Sequence, residues 1–291
     1  MVCIERIMAT RTLLGITLAI GLCCCNFIES NNNESTSERQ GKTMSYSYAC
    51  LDSTLNGEEL NKVLRKGGDF IRELAVDDSE VTDEVQNEYG AAFHKDVLES
   101  GTFKLKQDAA IQSQLDKIMN DLLAVREKPS KINYAIYLID DQMVNAFTFG
   151  GRIYVTTGMY KETEGKTALL YSIVGHEIGH SEMGHIKKTI QEMQLTEKIF
   201  GENGDWALQL KKILTGSFNQ RNELEADYYG TDLAYNLNQD VCSAVSFWKK
   251  MGSKENEYSR LEDFFRTHPF SNLRAQCLES HIRTNFGNTC K

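Results

Sequence analysis

Five consecutive residues constrain this chain more than anything else in it: His176-Glu177-Ile178-Gly179-His180. Histidines at i and i+4 share one helix face, one turn apart. Two imidazoles placed that way can reach a single tetrahedral zinc ion without any loop being ordered first. The spacing therefore calls for a helix here. Glu177 follows the first histidine and projects beside the metal instead of onto it. There it can take a proton from a water activated by zinc and pass it to a leaving amine. The neighbours suit a buried helix: Ala168, Leu169, Ile173 and Val174 lead in, and Gly175 and Gly179 leave room beside the histidines. By ordinary residue frequencies, roughly one chain in a hundred of this length carries the pentapeptide by chance. The competing reading, a surface helix with two incidental histidines, has to be weighed against further evidence.

That evidence begins with a third ligand, because catalytic zinc takes three protein ligands and a water. The run Glu223-Leu224-Glu225-Ala226-Asp227 lies in a helical pattern over residues 219–237. Glu223 and Asp227 are again i and i+4. One can bind the metal while the other accepts the free N–H of a ligating histidine and fixes its tautomer. Standing alone, the run would read as a solvated acidic helix face.

The rest of the chain supplies the frame. Its 291 residues suffice for one full core, and only 2 are proline, which favours helix. Apolar periodicity predicts helices over 57–76, 81–99, 107–126, 219–237, 241–251 and 272–283, and one long helix over 167–193 that carries the pentapeptide. Between them, 132–139 reads as a strand, and 144–149 with 152–157 as a hairpin around Gly150-Gly151. The expected fold is α+β: a mainly helical domain with one small sheet beside the zinc helix. The net charge of -9 argues against a nucleic-acid partner, since no basic stripe is available for phosphates.

The N-terminus differs. Arg6 and Arg11 precede an apolar run from Leu13 to Leu22, followed by Cys23, Cys24 and Cys25. Residues 1–25 read as a secretory signal, too short to span a bilayer comfortably, with an uncleaved anchor as the alternative. Cysteines at its end suggest a lipoprotein signal, and the sequence leaves open which of the three would carry lipid. Residues 26–50 read as a flexible tether, and 51–291 as one domain. Cys50, Cys242, Cys277 and Cys290 remain; Cys242 with Cys277, or Cys277 with Cys290, are candidate bridges among three full pairings.

The His-Glu-x-x-His pentapeptide followed by Glu-x-x-Ala-Asp resembles the CAAX-prenyl-protease and HtpX-like zinc metallopeptidases of the gluzincin group. Val144-Asn145-Ala146-Phe147, with Gly150-Gly151 and Val155-x-x-Gly158, looks like that group's edge strand. His185 and Thr267-His268-Pro269 with Arg274 match further elements, so the likeness covers 105–285 in pieces.

The resemblance implies one zinc ion on His176, His180 and Glu223, with Glu177 as general base and Asp227 orienting a ligand. Glu225 is an alternative ligand ranked below Glu223. Asn145, Ala146 and Phe147 would align a peptide as an added strand. His268 or Arg274 would stabilise the oxyanion, or His268 would plug the metal. With no later segment of the ~18 apolar residues that a membrane helix needs, the chain is closest in type to a soluble, periplasmic, lipoprotein-like branch. The implied activity is endopeptidase action on unfolded or misfolded envelope proteins, tethered to the membrane by lipid or a signal anchor. A latent zinc protein acting as a chaperone or assembly factor is the alternative.

His185, five residues past His180, would be rotated about 140° from it on a continuous helix and reads as a packing or hydrogen-bonding residue. His94 and His281 read as exposed or satisfied histidines, and Trp206 and Trp248 as core anchors.

Overall fold

The computed structural model describes residues 44–52, 81–163, 166–200, 216, 218–253, 267–268 and 272–290. The helix expected over 57–76 and Trp206 lie outside them. The helices are α1 (Ala49–Asp52), α2 (Asp83–Glu99), α3 (Ala109–Ala124), α4 (Thr157–Glu162), α5 (Thr167–Glu182), α6 (His185–Phe200), α7 (Gln220–Asn236), α8 (Cys242–Ser253) and α9 (Asn272–Phe286). Between α3 and α4 run β1 (Ala135–Ile139), β2 (Ala146–Phe149) and β3 (Arg152–Thr156). Short polar side chains start several helices by accepting from the first turn: Thr82 from Val85 N, Asp108 from Ile111 N and Asn219 from Asn222 N.

The helix expected over 167–193 is two helices. Gly184 sits at φ +78°, a left-handed conformation that ends α5 after Glu182 and lets α6 begin at His185. His185 therefore turns back towards α5 instead of pointing away around a continuous helix.

The sheet has the order β1-β3-β2, with β1 parallel and β2 antiparallel to β3. The expected hairpin joins β2 to β3. Gly150 and Gly151 both have positive φ, 59° and 81°, as its tight turn requires. A Cβ on Gly150 would come within 2.3 Å of Gly90 Cα, so this turn seats directly on α2. The parallel β1–β3 pair was not foreseen. It puts β3 in the middle and leaves β2 at an edge.

Helix α5 is buried on every side from Leu169 to Ser181. It packs in a core with Leu122 of α3, Ile136 and Val155 of the sheet, Leu224 and Tyr228 of α7, Trp248 of α8 and Leu278 of α9. Phe93, Phe149, Tyr154, Ile186 and Ile190 fill a second cluster between the sheet and α2 and α6. Where α5 crosses α7, no side chain intervenes: a Cβ on Gly230 would lie 2.5 Å from His176 N, and one on Gly179 would lie 2.9 Å from Ala226 Cα.

The disulfides among the described residues are Cys50–Cys277 and Cys242–Cys290, neither of the bridges favoured from sequence. Cys277 lies mid-way along α9, whereas Cys290 lies beyond its end, so the helix itself holds those two apart. Residues 44–50, the described part of the stretch expected as tether, are docked on the body. Ser45 N donates to Asn285 Oδ1 at 3.0 Å, and Tyr46 Oη donates to Asp232 Oδ2 at 3.0 Å. His281 Nε2 lies 2.7 Å from Asp232 Oδ1, and His94 Nδ1 lies 3.0 Å from Tyr154 Oη, so both of those histidines are satisfied inside the fold. Among the described residues no helix is long and apolar enough to cross a membrane.

Candidate metal centre

The bare crossing of α5 on α7 brings His176, Glu177 and His180 against Glu223 and Asp227. His176 Nε2 and His180 Nε2 are 3.0 Å apart. Glu223 Oε1 lies 3.4 Å from His180 Nε2, and Glu223 Oε2 lies 3.6 Å from His176 Nε2. His268 completes the group: its Nδ1 is 3.3 Å from His176 Nε2 and 3.2 Å from Glu223 Oε2. The donor atoms of these four buried residues all lie within 4.8 Å of one another.

These contacts test whether a cation fits. A tetrahedral zinc site with bonds of about 2.0–2.1 Å has ligand–ligand edges of about 3.3 Å, close to the separations found. Glu223 is fully buried and its Oε1 has no hydrogen-bond partner, a costly arrangement for a carboxylate unless a cation meets it. Two imidazole nitrogens and a carboxylate suit zinc in donor type. The residues present therefore fit the group.

A second layer fixes the orientation of the histidines. His176 Nδ1 is 2.9 Å from Asp227 Oδ1, so it carries the proton and leaves Nε2 as an acceptor. His180 is held differently. Its Nδ1 is 3.0 Å from His185 Nδ1, and His185 Nε2 is 3.0 Å from Glu225 Oε2. The carboxylate requires a proton on His185 Nε2; His185 Nδ1 then accepts from His180 Nδ1–H, and His180 Nε2 is left with its lone pair. Glu225 reaches the site only through His185.

Arg274 is fully buried. Its Nε and Nη2 donate to the two oxygens of Asp227 at 2.7 and 3.0 Å, and its Nη1 lies 2.8 Å from Glu223 Oε2. The Trp248 ring covers the guanidinium at 4.0 Å. Arg274, expected as an oxyanion donor, thus grips the two carboxylates from behind.

The electrostatics follow from this packing. Burial pushes the Glu177 carboxyl above its ordinary range, against the pull of His268 and His176. Burial would raise Glu223 too, but His268 and Arg274 outweigh it and hold the carboxyl well below its usual value. Asp227 is similarly brought down by Arg274 and His176 against burial. Burial drives His180 well below an ordinary histidine. His268 goes the other way: burial disfavours its charge, yet Glu223 and Glu177 lift its pKa to about 9.

The expected substrate strand residues are close by. His268 Nε2 donates to Ala146 O at 2.9 Å, and Thr267 Oγ1 donates to Asn145 Oδ1 at 3.4 Å. Phe147 faces the other side and stacks on Tyr154 with ring centroids 4.8 Å apart. The structure therefore brings His176, Glu177, His180, Glu223, Asp227, His268 and Arg274 together, with Asn145 and Ala146 at the rim. Sequence reading missed the His185–Glu225 pair as a unit, although both residues had been singled out separately.

Residues 106–282 match the profile of peptidase family M48. The chain belongs to peptidase family M48. That family implies a divalent metal at such a centre. Over 172 residues the chain is 30% identical to metalloprotease LoiP of Escherichia coli K12, covering 52% of this chain and 62% of that one. It is 23% identical over 186 residues to the beta-barrel assembly-enhancing protease of Yersinia pestis, covering 57% and 38%. It is 25% identical over 177 residues to the mitochondrial metalloendopeptidase OMA1 of Schizosaccharomyces pombe, covering 58% and 52%. The match spans less than two thirds of the length of each of these M48 relatives.

Proposed function

We propose that this M48 chain is a zinc-dependent endopeptidase acting on unfolded or misfolded polypeptides of the bacterial envelope, and that the arrangement described above is its latent state. The observation that carries the reading is the converging trio of His176, His180 and Glu223 beside Glu177, whose Oε2 is buried without a partner.

His176, His180 and Glu223 would hold the zinc ion. When bound there, zinc supplies Lewis acidity to a scissile carbonyl and to the attacking water. Glu177 moves the proton: Oε2 takes it from the water and returns it to the leaving amine. Burial, by raising the affinity of Glu177 for a proton, suits it to both steps. Asp227 and His185 keep the two ligand histidines in one tautomer. Arg274 balances the charge of Glu223 and Asp227, which a buried pair of carboxylates needs.

Latency rests on His268. Its Nδ1 points into the donor cluster at the position a substrate or water must occupy, while Nε2 is bonded to Ala146 O. To bind a metal Nδ1 must carry no proton, and the Nε2–H bond to Ala146 O is compatible with that tautomer. Substrate would lie along the edge of β2 at Asn145, Ala146 and Phe147, adding a strand by main-chain hydrogen bonds. The envelope setting draws on the signal-like residues 1–25 and on the relatives. A lipid on Cys23, Cys24 or Cys25 would tether the enzyme to the membrane.

The test uses purified full-length protein loaded with zinc, with casein as substrate. Wild type should cut slowly, His268→Ala faster, and Glu177→Gln and His176→Ala at least 100-fold more slowly. Zinc-bound wild type that cuts no better than Glu177→Gln, with His268→Ala equally inert, would reject the peptidase reading. It would favour a latent zinc protein that holds clients as a chaperone or assembly factor, which the His268 contacts also allow.

A further inference from the structure

Beside Glu177 and His176 a pocket opens between α5, α7 and α8, with His268 in its wall. Its main surfaces are Leu169, Ile173, Ala244, Phe247 and Trp248, all buried. Of the polar groups in its wall, His176, Glu177 and His268 belong to the reacting centre, Thr231 adds a hydroxyl, and Ser172 and Asp227 are engaged elsewhere. Ser172 Oγ donates to Ala168 O at 3.2 Å, and the oxygens of Asp227 take Arg274 and His176. Beyond the groups of the reacting centre the wall is mainly apolar, so a charged or amide side chain reaching Ala244 and Phe247 would lose its hydration without a matching partner there. An aliphatic one would lose only water contact, which is favourable.

We propose that this pocket receives an aliphatic side chain of the substrate, valine-, leucine- or methionine-sized, from one of the two residues flanking the scissile bond. The inference rests on the peptidase reading above and adds the substrate class to it. Its ground is continuity: the pocket shares Glu177 and His176 with the reacting centre, so a main chain positioned for Glu177 has a side chain within reach of Ala244 and Phe247. Closed, the pocket has room for about one water-sized body. His268 is part of that closure, and its departure adds the volume of an imidazole. Ala244 sets how far a side chain penetrates. Phe247 and Leu169 also line an outer groove with Lys166, Ser243 and Lys250, so Phe247 is the partition between the two spaces.

The experiment digests a mixed peptide library with full-length, zinc-loaded wild type and His268→Ala, and maps cut sites by mass spectrometry. Valine, leucine or methionine should exceed aspartate and lysine by at least tenfold at one flanking position. Ala244→Phe fills the pocket and should lower the leucine-to-alanine ratio there at least tenfold, in line with the roughly 10–200-fold effect of one methylene in an apolar pocket. Phe247→Ala removes the partition and should admit phenylalanine and tyrosine. Zinc content and melting temperature identify any variant that has not folded, and the wild-type cut sites test the idea without one. Cleavage with no flanking preference, or with a preference that both folded variants retain, overturns the pocket and leaves the peptidase reading standing. Absence of cleavage by both wild type and His268→Ala overturns both.

Discussion

His185 Nδ1 stands 3.0 Å from His180 Nδ1, with Glu225 closing the line at 3.0 Å behind it. A carboxylate, a relay imidazole and a ligand imidazole are thus in series, and the last can offer the metal only Nε2. Removing outer partners of this kind typically costs about 10–100-fold in metal affinity. His185→Ala should therefore weaken zinc binding by about that factor, and Glu225→Gln by less, read by competition with a chromophoric chelator. Unchanged affinity in both would mean that packing against Phe218, whose ring stacks on His180 at 4.0 Å, suffices to orient that ligand.

Arg274→Leu strands two buried carboxylates. Breaking such a set from one side costs about 3–5 kcal/mol. At about 2–4 °C per kcal/mol for a domain of this size, melting should fall by roughly 6–20 °C. Asp227→Asn in the same background should recover part of the loss. A fall below 2 °C would show that the carboxylates find other compensation.

Gly230→Ala places a methyl 2.5 Å from His176 N, against main chain that cannot swing aside. Overpacking of this sort costs about 1–3 kcal/mol, and here it also separates Glu223 from the histidines. Urea unfolding and zinc titration should both report loss. Normal zinc affinity at reduced stability would mean that the ligands follow the shifted helix.

Zinc removal should destabilise the native protein by about 4 kcal/mol relative to free zinc at a thousand times its dissociation constant. Calorimetry with and without chelator would measure it. His176→Ala and Glu223→Ala should melt at one temperature in both conditions; a persistent chelator effect would place the ion elsewhere.

The chemistry was more legible in the sequence than the architecture. His176 with His180, and Glu223 with Asp227, are each related by one helical turn, and that geometry is local. What joined the two pairs was the meeting of Gly175 and Gly179 with Gly230 and Ala226; each of these small-residue pairs is spaced one turn apart on its helix, but nothing local says that the two helices meet. Gly184 could not be recognised as a break, because a lone glycine is tolerated within a helical pattern. The bridges of Cys50 and Cys242 depend on where α9 lies, and the pocket beside Glu177 exists only once α8 packs on α5. The oxyanion role expected for Arg274 came from analogy, whereas its charge partners lie on a helix about fifty residues earlier in the chain.

One side chain, His268, touches both the donor cluster and the carbonyl of Ala146. A guest strand pairing with that carbonyl must first evict the imidazole, and the same eviction clears the reacting centre. Recognition of a client and arming of the site are then a single event. A small molecule that merely reaches the metal would not trip it, and a folded protein, having no free strand to lend, would pass by uncut.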